Sequence, residues 1–159
     1  MTTFFRRASR ARLLLALLLL WALALPGCAS SEPWVELRGQ RFTVELAMDD
    51  ESRARGLMFR EEMAQDRGML FIHEEEAPLA YWMKNTRIPL DILYFDAERR
   101  LVSAQLGVPT CSAGDRCPPY PSERPALYVL ELNAGVARRL GVQRGDTLTF
   151  SPEIERQLP

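Results

Sequence analysis

The sequence predicts a mainly-β (α+β) fold: a compact β-sandwich or rolled barrel with two or three short helices. The first observation is that the strand-like runs are short, rich in aromatic and branched residues, and bounded by Gly, Pro or charged turns. The second is that residues 42–46 alternate apolar and polar side chains, as a half-buried antiparallel strand does. The third is the scarcity of long helical segments, which disfavours a doubly wound α/β fold.

Eight strands are predicted. In chain order they are Val35–Leu37, Phe42–Ala47, Met69–His73, Leu79–Lys84, Leu90–Asp96, Leu101–Gly107, Ala126–Leu132 and Thr147–Phe150. The fifth strand carries apolar residues on both faces, which is typical of a central strand. Asp91 shares a face of this strand with Leu93 and Phe95, so we expect a carboxylate near the mouth of the core.

Capping signals predict two helices and one further helical turn. Asp49 or Asp50 can cap a first helix that ends at Arg55, with Gly56 in the position that follows a helix. The other two segments are 134–140, capped by Asn133 and ended by Gly141, and the single turn 61–67.

The N-terminal segment predicts export and lipid anchoring. Four arginines precede an almost unbroken apolar run from Leu13 to Leu25, which is typical of a secretory signal and too short to span a bilayer. The closing Leu25-Pro26-Gly27-Cys28 resembles a bacterial lipobox, which implies a diacylglyceryl group on Cys28, cleavage before it, and further acylation such as palmitate. The alternative is an ordinary cleaved signal in which Cys28 is incidental.

These signals divide the chain into four parts. They are a lipoprotein signal peptide over 1–27, a lipidated N-terminus and tether over 28–33, a single domain over 34–152 and a C-terminal tail over 153–159. Ala29, rather than an aspartate, follows Cys28, which favours the outer membrane facing the periplasm in a Gram-negative organism.

The charge balance excludes some partners. Removal of the signal leaves 20 − 4 = 16 basic and 21 acidic residues, a net charge near −5. A mildly acidic chain without a basic cluster predicts no nucleic-acid partner. It also leaves the lipid as the predicted means of membrane attachment, because no polybasic patch is present to help it.

Cys111 and Cys117 lie in a proline-rich loop, GVPTCSAGDRCPPYPSERP. In an oxidising exported compartment this spacing favours a disulfide, with free thiols as an alternative. A zinc site is disfavoured, because one cysteine pair and the single His73 fall short of a ligand set. We expect neither a metal nor a cofactor, since no phosphate loop or dinucleotide fingerprint occurs.

The stretch YWMKNTRIPLD, residues 81–91, places polar residues where a simple hairpin would use Asn-Gly. One hypothesis is structural: Lys84 pairs with Asp91 across neighbouring strands, and the polar residues cap a turn. The other is functional: one pocket combines an aromatic platform with convergent polar groups. Its residues would be Trp82, Lys84, Asn85, Thr86 and Asp91.

Glu131 is the other candidate carboxylate. It ends an apolar strand and is a possible second inward-facing acid, so Asp91 and Glu131 together would suit glycoside chemistry. His73 ends an apolar strand and is expected to be structural or at the surface, and no nucleophile elbow is present. No catalytic residue is therefore assigned.

Four successive motifs cover about residues 40–150: RARGLMFREEM, GMLFIH, YWMKNTRIPLDILYFD and PALYVLELNAGVARRLGVQRGD. Together they resemble the motifs of domain-of-unknown-function family 192. The resemblance implies a compact β-rich fold with short helices, commonly in exported or lipid-anchored bacterial proteins. It implies no established activity. The cysteine pair also resembles one found in many members.

Three hypotheses about function follow. The favoured one is a lipid-anchored, noncatalytic envelope domain that binds a small polar ligand, a glycan or a protein. The second is a hydrolase or lyase of an envelope polymer that uses Asp91 and Glu131, with Lys84 as an electrostatic stabiliser. The third is a structural or assembly lipoprotein without a small-molecule site.

Overall fold

A computed structural model describes residues 32–158 of the chain. The predicted signal peptide and Cys28 lie outside these residues. Seven strands are present: β1 Trp34–Leu37, β2 Gln40–Ala47, β3 Arg67–Trp82, β4 Leu90–Phe95, β5 Leu101–Val108, β6 Pro119–Asn133 and β7 Leu148–Phe150. The helices are α1 Asp50–Arg55, α2 Val136–Leu140 and α3 Pro152–Glu155, with a 3-10 turn at Gly114–Arg116. Over the same residues, no helix has the length and apolar character needed to cross a membrane.

The strands form one curled, half-barrel sheet in the order β5-β4-β6-β3-β2-β1-β7, so the predicted mainly-β class is confirmed. Pairing is antiparallel except between β2 and β3, which run parallel and are joined through α1. The two edge strands approach each other at one end, where Arg100 and Thr147 form an isolated bridge. β6 separates β3 from β4, so the prediction that the strand ending at Lys84 neighbours β4 is wrong.

Two apolar clusters cover opposite faces of the sheet. Every residue of β4 is buried, which confirms the prediction of a strand covered on both sides. Leu93 and Phe95 pack in the larger cluster with Leu130 and the helices α2 and α3. Ile92 and Tyr94 pack on the opposite face, in a cluster covered by the loops around residues 57, 83 and 88. The candidate site lies on this second face.

Helix α1 begins as its capping signal predicts. The Asp49 carboxylate accepts a hydrogen bond from the Ser52 amide at 2.8 Å, and the Ser52 hydroxyl accepts one from the Asp49 amide at 3.2 Å. This reciprocal pair satisfies donors that the first turn of a helix leaves free. Arg53 then donates to the carbonyls of Met48 and Ile72, at 2.6 and 2.9 Å, which fixes the helix against β3. Gly56 follows the helix at φ 46°.

Two predictions about the middle of the chain are wrong. The separate strands 69–73 and 79–84 are parts of the single 16-residue strand β3, which also includes the acidic residues 74–76 between them. The pairing with β6 shifts register between Ile72 and Ala77, so the strand continues across the polar break. Residues 61–67 form no helical turn. Arg67 opens β3 there, because parallel pairing with β2 begins opposite Thr43.

Helix α2 is also shorter than predicted. Asn133 is the last residue of β6, and its side-chain amide donates to the carbonyls of Met63 and Ala64 at 2.8 and 3.1 Å, so it does not cap the helix. Gly135, at φ 87°, turns the chain into α2 instead. The segment predicted as a C-terminal tail begins within α3, which Ser151 caps and whose Ile154 is fully buried.

Candidate functional site

Lys84-Asn85-Thr86 forms a junction between three loops just beyond the end of β3. Asn85 adopts φ 56°, a left-handed conformation that asparagine tolerates better than most residues. Its amide donates to the Cys111 carbonyl at 3.1 Å, and its carbonyl accepts from the Phe59 amide at 2.8 Å. Thr86 closes a turn onto the Met83 carbonyl at 3.0 Å. The polar stretch therefore joins the disulfide loop to the segment after α1.

Lys84 does not pair with Asp91, so this prediction is wrong. Its Nζ lies 2.5 Å from Oδ1 of Asp115, in the loop between the two cysteines. The same Nζ lies over the indole ring of Trp82, 4.8 Å from the ring centroid. The lysine is thus drawn toward the surface by an acid that is distant in sequence.

Both carboxylate oxygens of Asp91 accept hydrogen bonds from the backbone. Its side chain is buried, and its two oxygens accept hydrogen bonds from the backbone amides of Gly107, at 2.8 Å, and Ala137, at 2.9 Å. Ala137 lies in the first turn of α2, so Asp91 supplies the cap that was predicted for Asn133. The prediction placed the Asp91 carboxylate in a pocket with Lys84. Instead, an amide of α2, which is distant in sequence, donates to one of its oxygens and the Gly107 amide donates to the other.

Asp91 and Glu131 lie on opposite faces of the sheet. In the pairing of β4 with β6, Asp91 is opposite Leu132 and Ile92 is opposite Glu131. Directly opposed residues point to the same face, so consecutive positions point apart. The predicted acid/base couple is therefore wrong, because the sheet itself separates the two carboxyl groups.

Glu131 lines a small cavity, which we call the Glu131 cavity. The space that the centre of a water molecule can occupy inside it is about 20 Å³, which is enough for one small polar group. Of the six predicted ligand-binding residues, Trp82, Lys84, Thr86 and Glu131 line it. The rest of its wall is formed by the C-terminal half of α1 with the residues that follow it, and by two aromatic residues of β3: Arg53, Ala54, Arg55, Gly56, Leu57, Met58, Phe71 and Tyr81.

The Glu131 carboxyl group is buried without a partner. The residue is only 4% exposed, and within residues 32–158 it forms no hydrogen bond or ion pair. Burial raises the pKa of this carboxyl group from 4.5 to about 8, so it carries a proton at neutral pH. A buried carboxyl group without a partner is costly to fold, which makes it a candidate for function.

The two tyrosines nearest to Glu131 direct their hydroxyl groups elsewhere. Tyr94 donates to the carbonyl of Tyr120 at 2.5 Å, and the Tyr81 hydroxyl lies 3.0 Å from Nε2 of His73. Burial, and then the charge of Glu131, raise the pKa of both tyrosines above the ordinary value. Burial also lowers the pKa of His73. Neither hydroxyl satisfies the carboxyl group.

Two open grooves adjoin the cavity. The Trp82 groove, of about 250 Å³, shares Arg53, Ala54, Tyr81 and Trp82 with the cavity and adds His73 and Ala80. The Phe59 groove, of about 360 Å³, shares Thr86 with it. The other residues of the Phe59 groove are Phe59, Asn85, Arg87, Thr110, Cys111 and Ser112. Asn85 therefore lies beside the cavity rather than in it.

An exposed aromatic side chain stands in each groove. Trp82 is 42% exposed and Phe59 is 59% exposed. Phe59 also adopts φ 63°, an unfavourable conformation for a bulky residue. An aromatic residue held exposed on strained backbone is typical of a contact surface rather than of packing.

The family model of DUF192, described as an uncharacterized ACR, matches residues 34–150. The chain belongs to this family. It is similar to a crystal structure from Sinorhizobium meliloti 1021, described as a proposed transcription regulator, with 39% identity and a TM-score of 0.67 over 74% of this chain and 91% of that one. It is also similar to a protein of unknown function from Novosphingobium aromaticivorans DSM 12444, with 33% identity and a TM-score of 0.65 over 79% and 91% of the two chains. A comparison with curated proteins found no match.

In this DUF192 domain the predicted disulfide is confirmed. Cys111 and Cys117 are joined, with their Cα atoms 5.9 Å apart, and they enclose the turn that carries Asp115. The loop contacts the site twice, through the Cys111 carbonyl at Asn85 and through Asp115 at Lys84. It forms one wall of the Phe59 groove.

Sequence reasoning missed three residues of this DUF192 site: Arg53, Phe59 and Tyr81. The helix end predicted at Arg55 and Gly56 is correct for α1, but the prediction omits the place of this helix in the cavity wall. No local signal marks Phe59 as exposed. Tyr81 belongs to the YWMKNTRIPLD stretch, but it is not among the pocket residues that this stretch predicts.

Proposed function

We propose that this protein is a lipid-anchored envelope lipoprotein whose DUF192 domain binds a small polar ligand without catalysing a reaction. The ligand places one polar group in the Glu131 cavity and its body along the Trp82 and Phe59 grooves. The observation that carries the proposal is the buried, unpartnered carboxyl group of Glu131 in a cavity that shares wall residues with two grooves, each of which has one exposed aromatic residue.

The energetics support a binding role. Burial of a carboxyl group without a hydrogen-bond partner costs about 1–3 kcal/mol by protein mutational data, and a leucine of similar size would avoid that cost. A bound ligand that hydrogen-bonds Glu131 offsets it, so binding is coupled to relief of an unfavourable interaction. Open grooves on two sides give such a ligand access.

The arrangement supports binding better than catalysis. The acid/base couple is divided between two faces of the sheet, and Asp91 is occupied by two backbone amides. A general acid needs a second group within reach of the same reacting centre. The ring of His73, the other candidate acid or base, lies 3.0 Å from the Tyr81 hydroxyl, which already occupies its Nε2.

The lipid anchor is part of the proposal through its sequence signal. Leu25-Pro26-Gly27-Cys28 follows the apolar run directly, and residue 32 begins the described domain, so a tether of only a few residues separates lipid and domain. A domain held this close to the membrane would sample ligands at the envelope surface.

A ligand screen tests the proposal. Purified full-length protein in a neutral detergent is screened by thermal unfolding against sugars, amino acids, peptidoglycan fragments and nucleotides. Hits are repeated with Glu131→Leu and Trp82→Ala, and with Thr149→Val as a control on the exposed face of β7. We expect the stabilising shift in the wild type and in Thr149→Val, and its loss in the two site variants. Hits that persist in both site variants, or a screen without hits, would contradict the proposal.

A further inference from the structure

We propose that the group bound in the Glu131 cavity is a carboxylate, held between the Glu131 carboxyl group and the ammonium group of Lys84. This inference rests on the proposed function and names the ligand class of the same site. Three features of the cavity support it: the charged residues in its wall, the protonation of Glu131 and the size of the space.

The charged groups that line the cavity are mainly cations. Arg53, Arg55 and Lys84 line it, against the single acid Glu131. Each cation has an acidic partner, but these partners do not line the cavity, and their side chains are 83–101% exposed to solvent. Water screens such exposed partners strongly. The residues that line the cavity therefore include three cations and one acid, and an entering anion can compete with the screened partners for a cation.

Glu131 acts as a donor in this setting. Because the carboxyl group is protonated at neutral pH and lacks a partner, it offers one O–H donor to an entering acceptor. A carboxylate accepts that hydrogen bond and places its charge toward Lys84, and a hydrogen bond to an ionised acceptor is stronger than a neutral one. An ammonium ligand could bond only the neutral carbonyl oxygen of Glu131 and would face three cations, so it is disfavoured.

The opening suits a flat group with an apolar body. A space of about 20 Å³ admits one oxygen-sized group at a time. A planar carboxylate is narrower than a tetrahedral phosphate. The exposed face of Trp82 lies in the adjoining groove and can pack against the flat body of the ligand.

Glu131 is the group expected to govern the pH dependence of binding between about pH 7 and 9. The other ionisable groups around it are Tyr81 on β3, Tyr94 on β4 and the three cations that line the cavity. The two tyrosines stay neutral over this range because their pKa is raised, and His73 behind Tyr81 is neutral because its pKa is lowered. Ionisation of Glu131 repels an anion, so affinity falls as pH rises.

Matched probes test the ligand class. Calorimetric titration of the full-length protein at about pH 6.5 compares indole-3-acetate, indole-3-acetamide and tryptamine, and separately N-acetylmuramic acid and N-acetylglucosamine. Each carboxylate is expected to bind at least about tenfold more tightly than its neutral or cationic counterpart, or about 1.4 kcal/mol. Equal or tighter binding of a neutral or cationic probe, or no binding by either carboxylate, overturns the inference. A hit of another class in the wider screen would still support the proposed function.

Three variants test the roles of the residues. Lys84→Met should weaken carboxylate binding about tenfold, and Asp115→Asn should strengthen it about threefold, because it removes the acid that competes for Lys84. Glu131→Gln keeps a donor and should bind within about threefold of wild type at pH 6.5. When the pH is raised from 6.5 to about 9, the affinity of the wild type for the carboxylate should fall about tenfold, while that of Glu131→Gln should not fall. Unchanged affinity in Lys84→Met, or tighter wild-type binding at high pH, overturns the inference. Circular dichroism verifies that each variant is folded.

Discussion

At the scale of single residues, two buried carboxyl groups in neighbouring strands have opposite roles. Asp91 accepts hydrogen bonds from two backbone amides and supports the first turn of α2. Glu131, one residue out of phase with it across the sheet, accepts none and lines a cavity. Burial alone therefore does not distinguish an acid that stabilises the fold from one that is left free to bind a ligand. The presence or absence of hydrogen-bond donors beside the carboxyl group does.

Glu131 should make stability depend on pH. Its pKa is raised from 4.5 to about 8 on folding, so between these values the native state binds more protons than the unfolded state. The stability that the protonated group provides is complete below about pH 4.5 and is lost as pH rises toward 8, by up to about 1.4 kcal/mol per pH unit. Urea unfolding at pH 5, 6.5 and 8 should show this slope in the wild type and a much smaller one in Glu131→Gln. Glu62→Gln, an exposed control, should keep the wild-type slope; equal slopes in all three proteins would contradict the prediction.

Asp91 should be required for stability. Asp91→Ala leaves the amides of Gly107 and Ala137, the second of them buried, without their acceptor, and loss of the two hydrogen bonds should cost about 3 kcal/mol. Chemical denaturation measures the change. Asp115→Asn, which alters an exposed acid in the disulfide loop, is the control and should change stability by less than about 1 kcal/mol. A similar small loss for Asp91→Ala would show that solvent or a shifted backbone satisfies the two amides.

At the scale of elements, the site is assembled from two strands that pair in the sheet and from a segment outside the sheet. The end of β3 supplies Trp82, the C-terminal part of β6 supplies Glu131, and the segment after α1 supplies the opposite wall. The Asn85 junction holds them, through one hydrogen bond to Cys111 and one to Phe59. The short helix α1 is positioned by Arg53 rather than by buried apolar residues.

The disulfide loop should stabilise the junction. Closure of a ring of seven residues contributes about 2.4 kcal/mol in the chain-entropy model, and Cys111→Ser with Cys117→Ser should lose about that amount. Urea unfolding of the double variant measures it, and peptide mapping without reductant verifies the bond in the wild type. Wild-type cysteines that alkylate readily under native conditions would show that the bond is absent in solution.

At the scale of the whole molecule, the proposed anchor and the proposed binding site belong to separate parts of the chain. The sequence that resembles a lipobox ends at Cys28, and the first strand begins at Trp34. Removal of residues 1–27 would leave 16 basic and 21 acidic residues, so attachment to an anionic membrane would depend on the lipid.

Cys28→Ala should release the protein from membranes. The wild type is expected to enter the detergent phase in a phase-separation assay, and mass spectrometry should find acyl groups on an N-terminal Cys28. Cys28→Ala should lack the acyl mass and leave the detergent phase, whereas Ala29→Ser should behave as the wild type. A wild-type protein that already partitions into water with an unmodified N-terminus would contradict the lipobox interpretation.

Local chemistry in the sequence was sufficient for several features. Asp49 caps α1 because its side chain reaches an amide three residues away, and the two-sided apolar pattern of Leu90–Phe95 marks β4 as a central strand. The cysteine pair is separated by only six positions, so the loop can close on itself. The helix cap, the central strand and the disulfide each depend on residues that are close in sequence, so composition and periodicity are enough to predict them.

The candidate site was decided by the tertiary structure. Lys84 meets Asp115, 31 residues away, and Asp91 meets Ala137, 46 residues away, so neither partner could be read from a local pattern. The period of two correctly grouped Asp91 with Leu93 and Phe95, but the face that Glu131 occupies relative to Asp91 depends on the register of β4 against β6. A shift of one residue in that register would bring the two acids together. The sequence by itself determined the fold class, the ends of α1 and the disulfide. Only the packed sheet decided which acid is satisfied and which one faces the cavity.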